Sequence, residues 1–104
     1  MMTEIMEALG LPFAYHHFAE GESPDPPFLL YLYPESSNHG ADNIVYAKGT
    51  TVYLELYTDL KDPHLETQIE STLEEYGIYW KKSEVWIESE SLYEVLYSFE
   101  MEVK

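Results

Sequence analysis

From Tyr93 to Val103 every second residue is apolar: Tyr93, Val95, Tyr97, Phe99, Met101 and Val103 fall on one face of an extended chain, with Glu94, Ser98, Glu100 and Glu102 on the other. A side-chain period of two belongs to the β-strand, so this run predicts a strand with one buried face and one wet face. The same alternation sets Val52, Leu54 and Leu56 against Tyr53, Glu55 and Tyr57, and Val85 and Ile87 against Glu84, Trp86 and Glu88. Three such strands share a sheet whose apolar face needs a cover.

A helix between them supplies one. Asp62 is placed as an N-cap with Pro63 at the first helical position, and Leu65, Ile69, Leu73 and Tyr76 follow as one apolar stripe. Glu66, Gln68, Glu70, Glu74 and Glu75 are expected to face elsewhere, and Gly77 ends the helix. A shorter helix opens the chain, with Thr3 as its cap, Ile5, Met6 and Leu9 on one side, and Gly10 with Pro12 as the stop. Phe13 to Phe18 reads as a strand, Glu20 to Pro27 as a Pro-rich loop, and Phe28 to Tyr33 as an apolar strand closed by Pro34. The polar, turn-rich residues Glu35 to Asn43 read as a surface loop or arm, mobile in the isolated subunit. β-formers return from Ile44 to Tyr57, with Lys48-Gly49-Thr50 as a candidate turn or bulge, and Ser89-Glu90-Ser91 is short enough for a tight turn. The expected fold is α+β: one domain over residues 1–104, an antiparallel or mixed sheet of about five strands, and two helices packed on one side, in the order α-β-β-β-α-β-β.

Charge narrows the function. Twenty Asp and Glu stand against five Lys and no Arg, a formal charge of −15 on 104 residues. Nucleic-acid binders neutralise phosphates with clustered Lys and Arg, so ordinary DNA or RNA binding is excluded. Ten Tyr, four Phe and two Trp spread along the chain argue for a packed core over an acidic disordered tail. With no Cys there is no disulfide framework, thiolate metal site or cysteine nucleophile. No signal peptide is expected in Met1 to Glu7 and no membrane span anywhere in the chain, which leaves the cytoplasm as the expected compartment.

Catalytic chemistry finds no motif. His16 and His17, adjacent on a strand, are expected to point to opposite faces, and His39 and His64 have no H-x-x-x-H or H-E-x-x-H partner, so no metal is expected. The serines lie outside any G-x-S-x-G context, and neither G-x-x-x-x-G-K-[ST] nor G-x-G-x-x-G occurs. The many carboxylates are expected to form a solvated acidic face. No catalytic residue and no cofactor are expected. Trp86, pointing away from the Val85 and Ile87 face, is the best single candidate for a contact with another chain. The tyrosines on strands, Tyr31, Tyr33, Tyr46, Tyr53, Tyr57, Tyr93 and Tyr97, are expected to be mostly boundary core, with some left for an interface.

Ala41 to Lys48, the strand Val52 to Thr58, Lys61-Asp62, the amphipathic helix and the closing Trp86-Ile87-Glu88-Ser89-Glu90 together resemble the tail terminator proteins of long-tailed phages and prophages, also described as tail-to-head joining or tail completion proteins. The resemblance covers nearly the whole chain and rests on element order and a few dipeptides. It implies a terminator-like α+β fold and a structural, non-enzymatic protein of the virion neck, assembled in the host cytoplasm. It further implies a ring, usually a hexamer, that caps the tail tube, stops its polymerisation and meets the head-completion or connector protein, with DNA passing through unbound. On that footing the segment Asn38 to Asn43, with Asn38, His39, Asp42 and Asn43, is expected to reach a neighbour, Trp86 to sit at a contact, and Glu66, Glu70 and Glu74 to face the channel. The alternative class is an acidic DNA mimic that inhibits a host DNA-processing enzyme.

Overall fold

The computed structural model describes residues 2–34, 36–41 and 44–103, with 36–41, 44–48, 102 and 103 described by their backbone pairing alone. Two helices, α1 (Met2–Leu9) and α2 (Pro63–Glu75), accompany six strands: β1 (Phe13–Tyr15), β2 (Phe28–Leu32), β3 (Ser36–Ala41), β4 (Ile44–Thr58), β5 (Trp80–Ile87) and β6 (Leu92–Val103). Five strands form a path in the order β1-β2-β4-β6-β5, and β3 pairs with β4 off that path. The sheet is mixed, because β1 runs parallel to β2 while every other pair is antiparallel. The α+β class and the two-helix cover are as expected.

Registry fixes which side chains share a face. Leu56 pairs with Leu29 and Val95, and Leu54 pairs with Tyr31 and Tyr97, so these residues stand on one side of the sheet. Val52, Leu54, Leu56, Val95, Tyr97 and Leu29 are completely or almost completely buried there against Ile5 and Met6 of α1 and Ile69 and Leu73 of α2. Each fully buried aliphatic side chain of this kind contributes about 1.5–3 kcal/mol. Both helices thus lie on the same face, here termed the covered face.

Helix ends follow from their residues. The Leu65 N–H donates to Asp62 Oδ1 at 3.1 Å, capping α2 as its sequence dictates. At the other end Gly77 adopts φ +73°, its N–H donates to Glu74 O and the Ile78 N–H donates to Leu73 O, the two hydrogen bonds of a Schellman motif. In α1 the helix already begins at Met2, which is buried, so Thr3 lies inside the first turn and is not the cap. Burial of the Met2 side chain pulls the helix start one residue upstream of the polar signal.

Three further expectations are corrected. Strand β1 ends at Tyr15, because His16 takes a left-handed φ of 67°. Lys48-Gly49-Thr50 is continuous strand, held between β3 and β6; the irregularity lies at His39/Gly40 in β3, where the register against β4 slips by one residue. The segment read as a loop, 35–43, contains β3. Polar, turn-forming residues form a strand there because β4 offers an unpaired edge beyond β2, and backbone ladder bonds do not depend on side-chain type. Ile44, Val45 and Ala47 pair with β3, and among the described residues β6 pairs with β4 only from Lys48 onward, so the two strands run on as a ribbon past that ladder. Fifteen residues at about 3.3 Å each give β4 a span of about 50 Å, which matches the 50 Å long axis of the molecule.

Candidate functional site

The other side of the sheet carries neither helix. Phe28, Leu30 and Leu32 of β2, Tyr53, Glu55 and Tyr57 of β4, Glu94, Leu96 and Ser98 of β6 and Lys81, Ser83 and Val85 of β5 alternate onto it by registry. The strands read from their polar alternates as simply wet are therefore largely apolar on this side. Phe28 is sheltered there, stacked on Tyr57 at 5.1 Å and met by Phe18 at 5.5 Å. Val85 is 51% exposed and Tyr79, at the β5 entrance, is 96% exposed. A concavity of about 580 Å³ opens beside them, lined by Thr51, Tyr53, Tyr79, Lys81, Ser98 and Glu100 among others.

Two carboxyls stand in the middle of this face. Glu55 accepts a hydrogen bond from the Tyr57 hydroxyl at 3.0 Å, and Glu94, beside it on β6, lies within hydrogen-bonding reach of Glu55. Burial, the Glu55 charge and that hydrogen bond together hold the Glu94 carboxyl above the usual carboxylate range. Burial and the charges of Glu55 and Glu94 likewise push the Tyr57 phenol well up. No ion pair to either glutamate is present among the described residues.

Across the sheet the electrostatics are opposite. Glu66 is 3% exposed and sits between two lysines, 2.7 Å from Lys61 Nζ and 2.7 Å from Lys82 Nζ. Lys82 also reaches Glu70 at 2.7 Å, and Lys61 also pairs with Glu84. Burial alone would raise the Glu66 pKa, but hydrogen bonds and charge from both lysines outweigh it and hold the carboxyl below its ordinary range. The Tyr97 hydroxyl donates to Glu70 at 2.8 Å, and burial with that bond keeps the phenol un-ionised far into the alkaline range. Among the described residues every buried side-chain polar atom has a partner. This network locks α2 onto β5 and β6.

The residues singled out from sequence are accordingly not gathered into one site. Asn38 and His39 lie on β3, where the backbone pairs with Lys48 and Ala47, while Asp42 and Asn43 lie outside the described residues. Trp86 does point away from Val85 and Ile87, but that pair occupies the uncovered face, so Trp86 stands on the helix side at the sheet's end. There it packs on Tyr93 at 4.7 Å, its indole N–H donates to Glu88 at 2.8 Å, and it remains 42% exposed. Glu66 does not face away from the helix's packed side, since it lies under Lys61 and Lys82; Glu70 is half-buried in the same network, and Glu74 is exposed. His16 and His17 are not on opposite strand faces: past the end of β1 their Nδ1 atoms approach to 3.0 Å. No group of three or more metal-ligating side chains occurs among the described residues, and no helix there is long and apolar enough to cross a membrane.

Glu55, Glu94 and Leu96 were missed as a set. The available signal was Leu96, an apolar residue on the polar phase of the β6 alternation, together with Glu55 flanked at i ± 2 by Tyr53 and Tyr57. No protein-family model and no curated protein matches the chain.

Proposed function

We propose that this chain is a structural assembly protein of a phage virion neck, a tail terminator that forms a ring on the tail tube, ends tube growth and joins the tail to the head connector. The observation that carries this reading is the one-sided sheet: both helices cover one face, and the other presents the exposed Val85 and the half-buried Leu30, Leu96, Tyr53 and Tyr57 with neither helix over them. A surface of this make-up suits docking against another protein of an assembly better than it suits catalysis, which needs convergent polar groups in an enclosed pocket. The β3/β4 ribbon running past the β4/β6 ladder offers a second means of reaching a neighbour. An α+β fold with both helices on one side of the sheet is of the kind the sequence resemblance implies.

In such a ring the path of DNA would be bordered by exposed acids, with Glu74 the one of the three helix acids free to serve; Glu66 and Glu70 are neutralised by lysine. The pairing of Glu66, Glu70 and Glu84 with Lys61 and Lys82 also weighs against a DNA mimic, which needs its acids displayed in an unpaired outward array. Native mass measurement of the purified protein, with tail lengths in a phage lacking the gene, tests the reading. A closed oligomer and tails of uncontrolled length are expected. A monomer that binds a DNA-processing enzyme tightly and leaves tail length unaltered would replace this function with mimicry.

A further inference from the structure

Of the five lysines, Lys61 and Lys82 are committed to Glu66, Glu70 and Glu84 on the covered side, and the chain contains no arginine. On the uncovered face the one described cation is Lys81, in the row of Ser98 and Tyr53, whereas Glu55 lies in the row of Leu96 and Ser83, and Glu94 in the row of Tyr57 and Val85. Glu55 and Glu94 therefore confront each other across an apolar surround of Leu30, Leu96, Val85 and Tyr57 without a cation between them. A second copy, whether face to face or head to tail in a ring, would bring a chain of the same sign, −15 overall, whose Lys61 and Lys82 are already committed to Glu66, Glu70 and Glu84. A foreign surface bearing a basic side chain would meet no such repulsion.

We propose that the uncovered sheet face docks a different protein, one that brings a lysine or arginine from an apolar surface onto Glu55 and Glu94, and that copies of this chain meet one another elsewhere. The apolar surround supplies the desolvated setting in which a charge-assisted hydrogen bond is strongest, and the two carboxyls offer the paired acceptors that a guanidinium fork or an ammonium requires. Tyr57 holds Glu55 in place by its hydroxyl hydrogen bond, so the acceptor is pre-positioned. The proposal rests on the neck reading in one respect: the partners to be tested are the tail-tube protein and the head-connector protein of the same phage.

The experiment measures binding of the purified chain to each of those two proteins, alongside its copy number by native mass. Glu94→Lys and Val85→Asp are each expected to weaken binding to one partner by about tenfold or more while leaving copy number unchanged. The pair Glu55→Gln with Glu94→Gln, which keeps shape and removes charge, is expected to weaken it less and to flatten its salt dependence. Val85 is exposed enough that its variant should fold even if Glu94→Lys does not, and thermal unfolding checks both. Unchanged binding in Glu94→Lys and Val85→Asp overturns the proposal, as does loss of copy number in either folded variant, which would make the face a self-contact. A wild-type protein that stays monomeric yet loses its partner in these variants overturns the ring and sustains the docking face. A wild-type protein that binds neither partner overturns both.

Discussion

Glu66 and Glu94 are the same side chain on opposite sides of one sheet, and their surroundings drive them in opposite directions. Both are withdrawn from water, which by itself raises a carboxyl pKa. Glu66 has Lys61 and Lys82 against it and ends below the ordinary range; Glu94, itself partly buried, has the Glu55 carboxyl against it and ends above it. The covered side is thus electrostatically complete within the chain. The uncovered side is not, and that difference, more than the count of acids, locates where another molecule can contribute something.

The largest test of the contrast is hydrophobic. Leu54→Ala on the covered face should cost about 3–4 kcal/mol in denaturant unfolding, as expected for a fully buried leucine, whereas Leu96→Ala on the uncovered face should cost about 1. Equal costs would mean the two faces are equally packed. Next comes Glu66→Ala, which leaves Lys61 and Lys82 facing each other. A loss of about 2 kcal/mol is expected, below the roughly 3–5 of a fully buried pair, because both lysines are a third or more exposed and can turn to water. Glu94→Gln should do the reverse and stabilise the isolated protein by about 0.5 kcal/mol by removing a like-charge neighbour. A destabilising Glu94→Gln would show that the carboxyl pair helps to hold the sheet together.

The smallest effects are in pH. Glu66, with its folded pKa lowered from the ordinary 4.5, contributes stability that is present above that value and lost as pH falls through the folded pKa. Glu94, with its folded pKa raised from 4.5, contributes stability that is present below that value and lost as pH rises through the folded pKa. Unfolding free energy attributable to Glu94 should therefore rise on mild acidification from neutrality and vanish as a trend in Glu94→Gln. The loss at more acid pH should become shallower in Glu66→Gln. Urea titrations at a series of pH values separate the two.

Much of the fold was legible because its signals are periodic. Val52, Leu54 and Leu56, the β6 alternation and the Asp62-Pro63 start with the Gly77 stop are local patterns, and local geometry settles them. Strand β3 was not legible, since what makes Ser36 to Ala41 a strand is the free edge of β4, a partner remote from any composition rule. The sidedness of β5 was misassigned for a related reason. Val85 and Ile87 look like a buried pair, but registry with Glu94 and Leu92 puts them on the uncovered side, and the charged alternates Lys82 and Glu84 face α2. Glu66 was hidden in the same way, because a helix stripe read from hydrophobicity has no place for a glutamate that lysines from two other segments will neutralise. The candidate face emerges only when four strands are set side by side.

Lys61 and Lys82 have a chemical consequence as well. Hydrogen bonds from Lys61 to Glu66 and Glu84 raise the Lys61 pKa, and at Lys82 the bonds to Glu66 and Glu70 outweigh the opposing effect of burial, so both amines stay protonated further into the alkaline range. Acylating reagents attack the neutral amine, so both should react slowly. Lys81, exposed beside the concavity of the uncovered face, should react ahead of Lys61 and Lys82. An amine-directed crosslinker applied to an assembled complex would then attach through the face left open, and its attachment point would reveal what had docked there.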